Sequence, residues 1–120
     1  PKKVERETRP GTVGIVYAGG AIVADDQSSG FGGGGDIVAA NRVADAIYRT
    51  VRDQSVDAII LRVNSPGGSP TASETIRRAV EHAISNDVPV VVSMGPVAGS
   101  GGYWIAANAT QIFAMPATLT

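Results

Sequence analysis

The chain has 120 residues, 43% of them hydrophobic, and a formal net charge of −1 from 10 Lys and Arg against 11 Asp and Glu. That length fits one small domain or part of a larger one with enough apolar residues for a core, while the balanced charge and lack of a basic run exclude the footprint of a nucleic-acid or anionic-membrane binder. No apolar window approaches the roughly 20 residues of a membrane-spanning helix, and with no cysteine there is neither a disulfide nor a thiolate metal site.

Residues 1–11 are too charged for the apolar centre of a signal peptide and end in Pro10-Gly11, so they read as a linker or disordered terminus, with the folded part expected over 12–120. The β-branched, apolar runs TVGIVYA (12–18) and AIVA (21–24) predict two strands around a Gly19-Gly20 turn. DDQSSGFGGGGD (25–36) is a loop, and Asp36 is expected to cap a helix whose apolar positions Ile37, Ala40, Val43, Ala44, Ile47 and Val51 continue to about Arg52. DAIILRV (57–63) has strand length, and NSPGGSP (64–70) breaks it with two prolines and two glycines. Thr71 and Glu74 have capping-box spacing, and Ile76, Ala79, Val80, Ala83 and Ile84 form one face of a second helix that Asn86 ends. VPVVVSM (88–94) predicts a strand, 95–100 a glycine-rich turn, 101–108 a third helix and QIFAM (111–115) a last strand.

Strands alternating with helices predict an α/β fold with a mainly parallel sheet and right-handed crossovers. In such sheets ligands gather at the carboxyl ends of the strands. Two glycine-rich turns, in 64–68 and 97–102, each follow a strand and precede a helix, which places Gly67, Gly68 and Ser100 within one site.

Ser100 stands among three glycines at the start of a helix. It is either an N-cap, the commoner role of a serine there, or a nucleophile beside backbone N–H groups able to hold an oxyanion. Three other features carry less. GFGGGGD (30–36) lacks the G-K-[ST] ending of a phosphate-binding loop and reads as a flexible loop. His82, the only histidine, lies well off the apolar stripe of its helix and should face solvent. Residues 98–102 approximate a G-x-S-x-G elbow, but the acid and histidine that motif needs downstream are missing. Tyr103 and Trp104 read as packing residues.

LRVNSPGGSPTASE (61–74), VPVVVSMGPVAGSGGYWIAANA (88–109) and MPATLT (115–120) together resemble the protease domain of the signal peptide peptidase A family, serine proteases sharing the fold of the Clp protease and the crotonases. The resemblance implies repeated β-β-α units and covers about 12–120 as a partial protease domain, most like the C-terminal half of the long tandem-domain form. It implies that Ser100 is the nucleophile, that the backbone N–H groups of Gly68 and Gly101 form the oxyanion hole, and that an uncharged lysine is the base. Lys2 and Lys3 are the only lysines and precede the domain in a charged stretch expected to be solvated, so the base is expected from outside this chain, from the remainder of the polypeptide. The 120 residues are then a fragment, inactive alone, whose glycines leave room for that lysine and a substrate strand.

By the same resemblance the substrates are peptides, above all cleaved signal peptides in the membrane. The whole protein is membrane-associated with its protease domain on the extracytoplasmic side, and it forms a homo-oligomer. No cofactor, metal or nucleic acid is called for. A crotonase-like acyl-CoA enzyme, or a non-catalytic peptide-binding or assembly domain of the same fold, are the alternatives.

Overall fold

The computed structural model describes residues 10–25 and 36–120. Most of the predicted linker, both lysines and the stretch 26–35 of the glycine-rich loop lie outside the described residues. The elements in chain order are β1 (Val13–Gly19), β2 (Ala21–Val23), β3 (Ile37–Ala39), α1 (Ala40–Arg52), β4 (Ala58–Ser65), α2 (Pro70–Ser85), β5 (Val90–Ala98), α3 (Gly101–Trp104) and β6 (Gln111–Phe113). They build a four-stranded sheet in the order β1-β4-β5-β6 and a two-stranded sheet of β2 and β3. Every pairing is parallel, giving the α/β arrangement with a mainly parallel sheet predicted for the Clp protease and crotonase class. Gly68 also bridges Ile22 in parallel. The chain leaving β4 therefore touches the small sheet before entering α2, repeating the order of β1, β2–β3 and α1.

Alternation decides which face is covered. On β4 the side chains of Ile59, Leu61, Val63 and Ser65 are fully buried, while the residues between them are not. Ile59, Leu61 and Val63 meet Val43, Ala44 and Ile47 of α1 and Ile76, Ala79, Val80 and Ala83 of α2 in one core cluster. Burying each large aliphatic side chain stabilises the fold by about 1.5–3 kcal/mol, and the alanines let the two helices sit close over the sheet. The opposite face is open at β1, where Val13, Ile15 and Tyr17 are 51%, 56% and 70% exposed.

Four local expectations give way to tertiary pairing. Residues 37–39 extend the small sheet instead of starting the helix, because Ile37, Val38 and Ala39 pair with Ala21, Ile22 and Val23. The helix consequently begins at Ala40, and Asp36 does not cap it. At α2 the cap is Ser69, whose Oγ accepts from Ala72 N at 3.2 Å. Pro70, with its fixed φ and no N–H, occupies the first turn. Strand β5 runs through the predicted turn to Ala98, because Ala98 pairs with Ser65 across a register shift and its N–H donates to Leu119 O at 2.7 Å. Finally, α3 ends at Trp104, short of Asn108.

Candidate active site

The pairing of Ser65 with Ala98 joins the carboxyl ends of β4 and β5. Both glycine turns start from that point. Gly99 N donates to Ser65 O at 3.0 Å, tying the second turn to the base of the first. A Cβ built on Gly67 would lie 2.7 Å from both Gly101 N and Ser100 Cβ, and one built on Gly101 would lie 3.3 Å from Gly68 N. Ser100, Gly101, Gly67 and Gly68 are thus neighbours, as their positions in the sequence predict.

Ser100 is exposed and has φ 48° and ψ −116°. A left-handed φ costs a residue with a Cβ on the order of 1–3 kcal/mol and persists only where the surroundings impose it. Here the constraint is a sharp passage from β5 into α3. The backbone carbonyl of Ser100 accepts from Tyr103 N and Trp104 N, both at 3.0 Å. Its hydroxyl, however, makes no capping hydrogen bond. By position Ser100 is an N-cap, but its side chain satisfies none of the helix donors that would explain a serine there.

The two N–H groups beside it are likewise disengaged. Neither Gly68 N nor Gly101 N donates to an acceptor among the described residues. For Gly68 the cause is the peptide plane. Gly67 O accepts from Ile22 N at 2.9 Å, and in a trans peptide the next N–H points the opposite way, away from β2.

The glycines have a use that the sequence reading missed. Gly101 and Gly102 are buried. A Cβ on Gly101 would strike Ser73 Oγ, and one on Gly102 would lie 2.6 Å from Ser65 O. These two glycines let α3 abut the first turn and α2, where a Cβ would have no room. Ser65, Ser69 and Ser73 are the site-building residues that sequence reasoning passed over. Ser73 Oγ donates to Ser69 O at 2.9 Å, and Ser65 Oγ donates to Gly20 O at 2.6 Å while accepting from Gly67 N at 3.1 Å. Their spacing was a signal: Ser65 falls in the inward register of Ile59, Leu61 and Val63, and Ser69 and Ser73 lie one helical turn apart.

Two groups able to accept a proton, His82 and Glu74, are engaged elsewhere. His82 is exposed and sits edge-on to Tyr48 with ring centroids 5.0 Å apart. It is twelve residues along α2 from Pro70, about 18 Å at 1.5 Å per residue. Glu74 is engaged by Arg77 through bonds of 2.7 and 2.8 Å and by the Trp104 indole at 3.0 Å. The Arg77 hydrogen bonds, followed by that of Trp104, hold its carboxyl down at about 2. Trp104 therefore clasps α3 to α2 while remaining half exposed, as does Tyr103. No described residue is a lysine. Among the described residues there is no group of three or more His, Asp or Glu able to hold a metal ion, and no helix long and apolar enough to cross a membrane. Two shallow grooves run along β1 and α1, lined by Tyr17, Arg42 and Val43, and neither includes a residue of the two glycine turns.

Residues 82–120 match the family model described as Peptidase family S49. Protease 4 of Salmonella typhi is 47% identical over 110 residues, covering 92% of this chain and 17% of that protein. Protease 4 of Haemophilus influenzae is 42% identical over 120 residues, the whole of this chain and 18% of that protein. The chloroplastic serine protease SPPA of Arabidopsis thaliana is 32% identical over 108 residues, 90% of this chain and 16% of that protein. The chain spans less than a fifth of the length of each of these relatives.

Proposed function

On the premise that this chain belongs to the SppA-like proteases of peptidase family S49, we propose that it carries the nucleophile and the oxyanion hole of a serine endopeptidase. Ser100 Oγ attacks the peptide carbonyl. The Gly68 and Gly101 N–H groups stabilise the oxyanion, and an acyl-enzyme forms as the amine leaves. The proton of Ser100 passes to an uncharged lysine, which burial keeps deprotonated. That lysine belongs to the remainder of the polypeptide, so the 120 residues hold part of the machinery and are inactive alone.

The observation that carries this reading is the exposed, uncapped hydroxyl of Ser100, held at a costly φ beside two N–H groups without acceptors among the described residues. A crotonase-like acyl-CoA enzyme would use the same amides, and a non-catalytic module would need neither. Strain spent on a serine side chain that stabilises nothing nearby favours the hydrolase over both.

The substrates are peptides, chiefly signal peptides left in the membrane after cleavage, met on the extracytoplasmic side by a membrane-associated homo-oligomer. The exposed apolar side chains of Val13, Ile15 and Tyr17 on the open sheet face suit contact with further protein. The test is labelling of the full-length protease with a fluorophosphonate and mapping of the adduct. Ser100 should carry it, and Ser100→Ala should abolish both labelling and turnover with an unchanged circular-dichroism spectrum. Normal turnover in a folded Ser100→Ala enzyme overturns the reading.

A further inference from the structure

Gly67 has no Cβ, so sterics alone do not choose the rotation of its two peptide planes. Hydrogen bonds choose it. On one side Gly67 N donates to Ser65 Oγ at 3.1 Å, and on the other Gly67 O accepts from Ile22 N at 2.9 Å. The second bond aims the Gly68 N–H, and the first holds the peptide before it. A φ of 105° at Gly67 results from the pair.

From this geometry we infer that Ser65 is a positioning residue for the oxyanion amide of Gly68, an inference that rests on the peptidase reading above. The hydroxyl has one proton. It goes to Gly20 O at 2.6 Å, which leaves a lone pair for the Gly67 N–H. The backbone of the same residue reaches the nucleophile, since Ser65 O accepts from Gly99 N at 3.0 Å. Ser65 thereby joins three segments: the β1–β2 junction, the turn bearing Gly68 and the turn bearing Ser100. Its side chain is fully buried and Gly67 is buried too. Gly67 is shielded from water, so removal of Oγ leaves its N–H without a partner, and the partly exposed Gly20 C=O loses its tie to the turn. The turn relieves this by rotating at Gly67, the residue with least resistance, and the Gly68 N–H turns away from the oxyanion.

The experiment uses the full-length protease and the variants Ser65→Ala and Ser65→Thr. The Ser65→Ala enzyme keeps the Gly68 N–H but misaims it, so kcat should fall about ten- to a hundredfold, less than the 10²- to 10³-fold for deleting a donor. KM should stay within about twofold, because the defect is in the transition state and not in substrate binding. The rate of fluorophosphonate labelling at Ser100 should fall in parallel, and Ser65→Thr, which retains the hydroxyl, should recover most of kcat. A folded Ser65→Ala enzyme with wild-type kcat, or with its loss confined to KM or to thermal stability, overturns the assignment. Should Ser65→Ala fail to fold, Ser65→Cys decides: the thiol fills the site, being somewhat larger than the hydroxyl, and bonds weakly, so reduced kcat at unchanged KM supports the role and wild-type kcat overturns it. A wild-type enzyme that takes no label at Ser100 refutes the peptidase reading itself, and is distinguished before any Ser65 variant is made.

Discussion

Replacing Gly68 by alanine adds one methyl group at the point where the first glycine turn meets the small sheet. A Cβ there would collide with Ile22 O and lie 2.7 Å from Ile22 N and 2.9 Å from Ile22 C. All three are backbone atoms with no flexible end to yield. The turn must move off β2, and the bonds Ile22 N to Gly67 O and Ser69 N to Ile22 O, each 2.9 Å, are stretched or lost. Two such bonds contribute roughly 1–3 kcal/mol to stability in sum. The larger effect is on rate, since the bond to Gly67 O is what aims the Gly68 N–H. Losing one oxyanion donor lowers kcat by about 10²- to 10³-fold, or about 2.7–4 kcal/mol of transition-state stabilisation; Gly68→Val should do the same. Gly99→Ala is the control from the neighbouring turn. There the nearest atom to a built Cβ is Pro66 O at an ordinary 3.5 Å, so the rate should change by no more than about twofold. The assay is kcat and KM of the full-length protein on a fluorogenic peptide, with circular dichroism to verify folding. Wild-type kcat in a folded Gly68→Ala enzyme would refute the placement of the oxyanion hole.

His82→Ala should leave kcat unaltered and cost no more than about 0.5 kcal/mol in stability, because the ring is exposed and lies toward the end of α2 away from Pro70; a collapse in activity would restore a histidine mechanism. Glu74 should titrate at about 2, against an ordinary value of 4.5, when its carboxyl is followed by NMR. Because its pKa is lower in the folded protein, the stabilisation it provides is complete above 4.5 and is lost as pH falls from there through about 2. A midpoint near 4.5 would mean that the Arg77 and Trp104 bonds do not persist in solution. The 120 residues alone, with a folded circular-dichroism spectrum, should not turn over a peptide ester, and Ser100-dependent turnover at an enzymatic rate would contradict a base supplied from elsewhere.

The site was more legible in the sequence than the details of its construction. Buried parallel strands declare themselves as apolar runs, as at 57–63 and 88–94, and a glycine turn after each such run must fall at the same rim of the sheet. That is enough to bring Gly68 and Ser100 together. What remained hidden depends on partners distant in sequence. Ile37, Val38 and Ala39 fit a helix start equally well until β2 is there to pair with them. Gly95-Pro96 reads as a turn unless Ser65 and Leu119 are already alongside β5. Ser69 outcompetes Thr71 as the cap because Pro70 takes the first helical position. The glycines at 101 and 102 looked like open space, and only the closeness of Ser73 Oγ and Ser65 O identifies them as contact points.

The central claim is that Ser100 Oγ attacks a carbonyl whose oxygen is received by the Gly68 and Gly101 amides. A crystal structure of the full-length protein treated with a peptidyl phosphonate tests it most directly. The expected result is a covalent bond from Ser100 Oγ to phosphorus, with one phosphonyl oxygen about 2.7–3.1 Å from both Gly68 N and Gly101 N. An adduct on another residue, or a phosphonyl oxygen turned away from both amides, would contradict it.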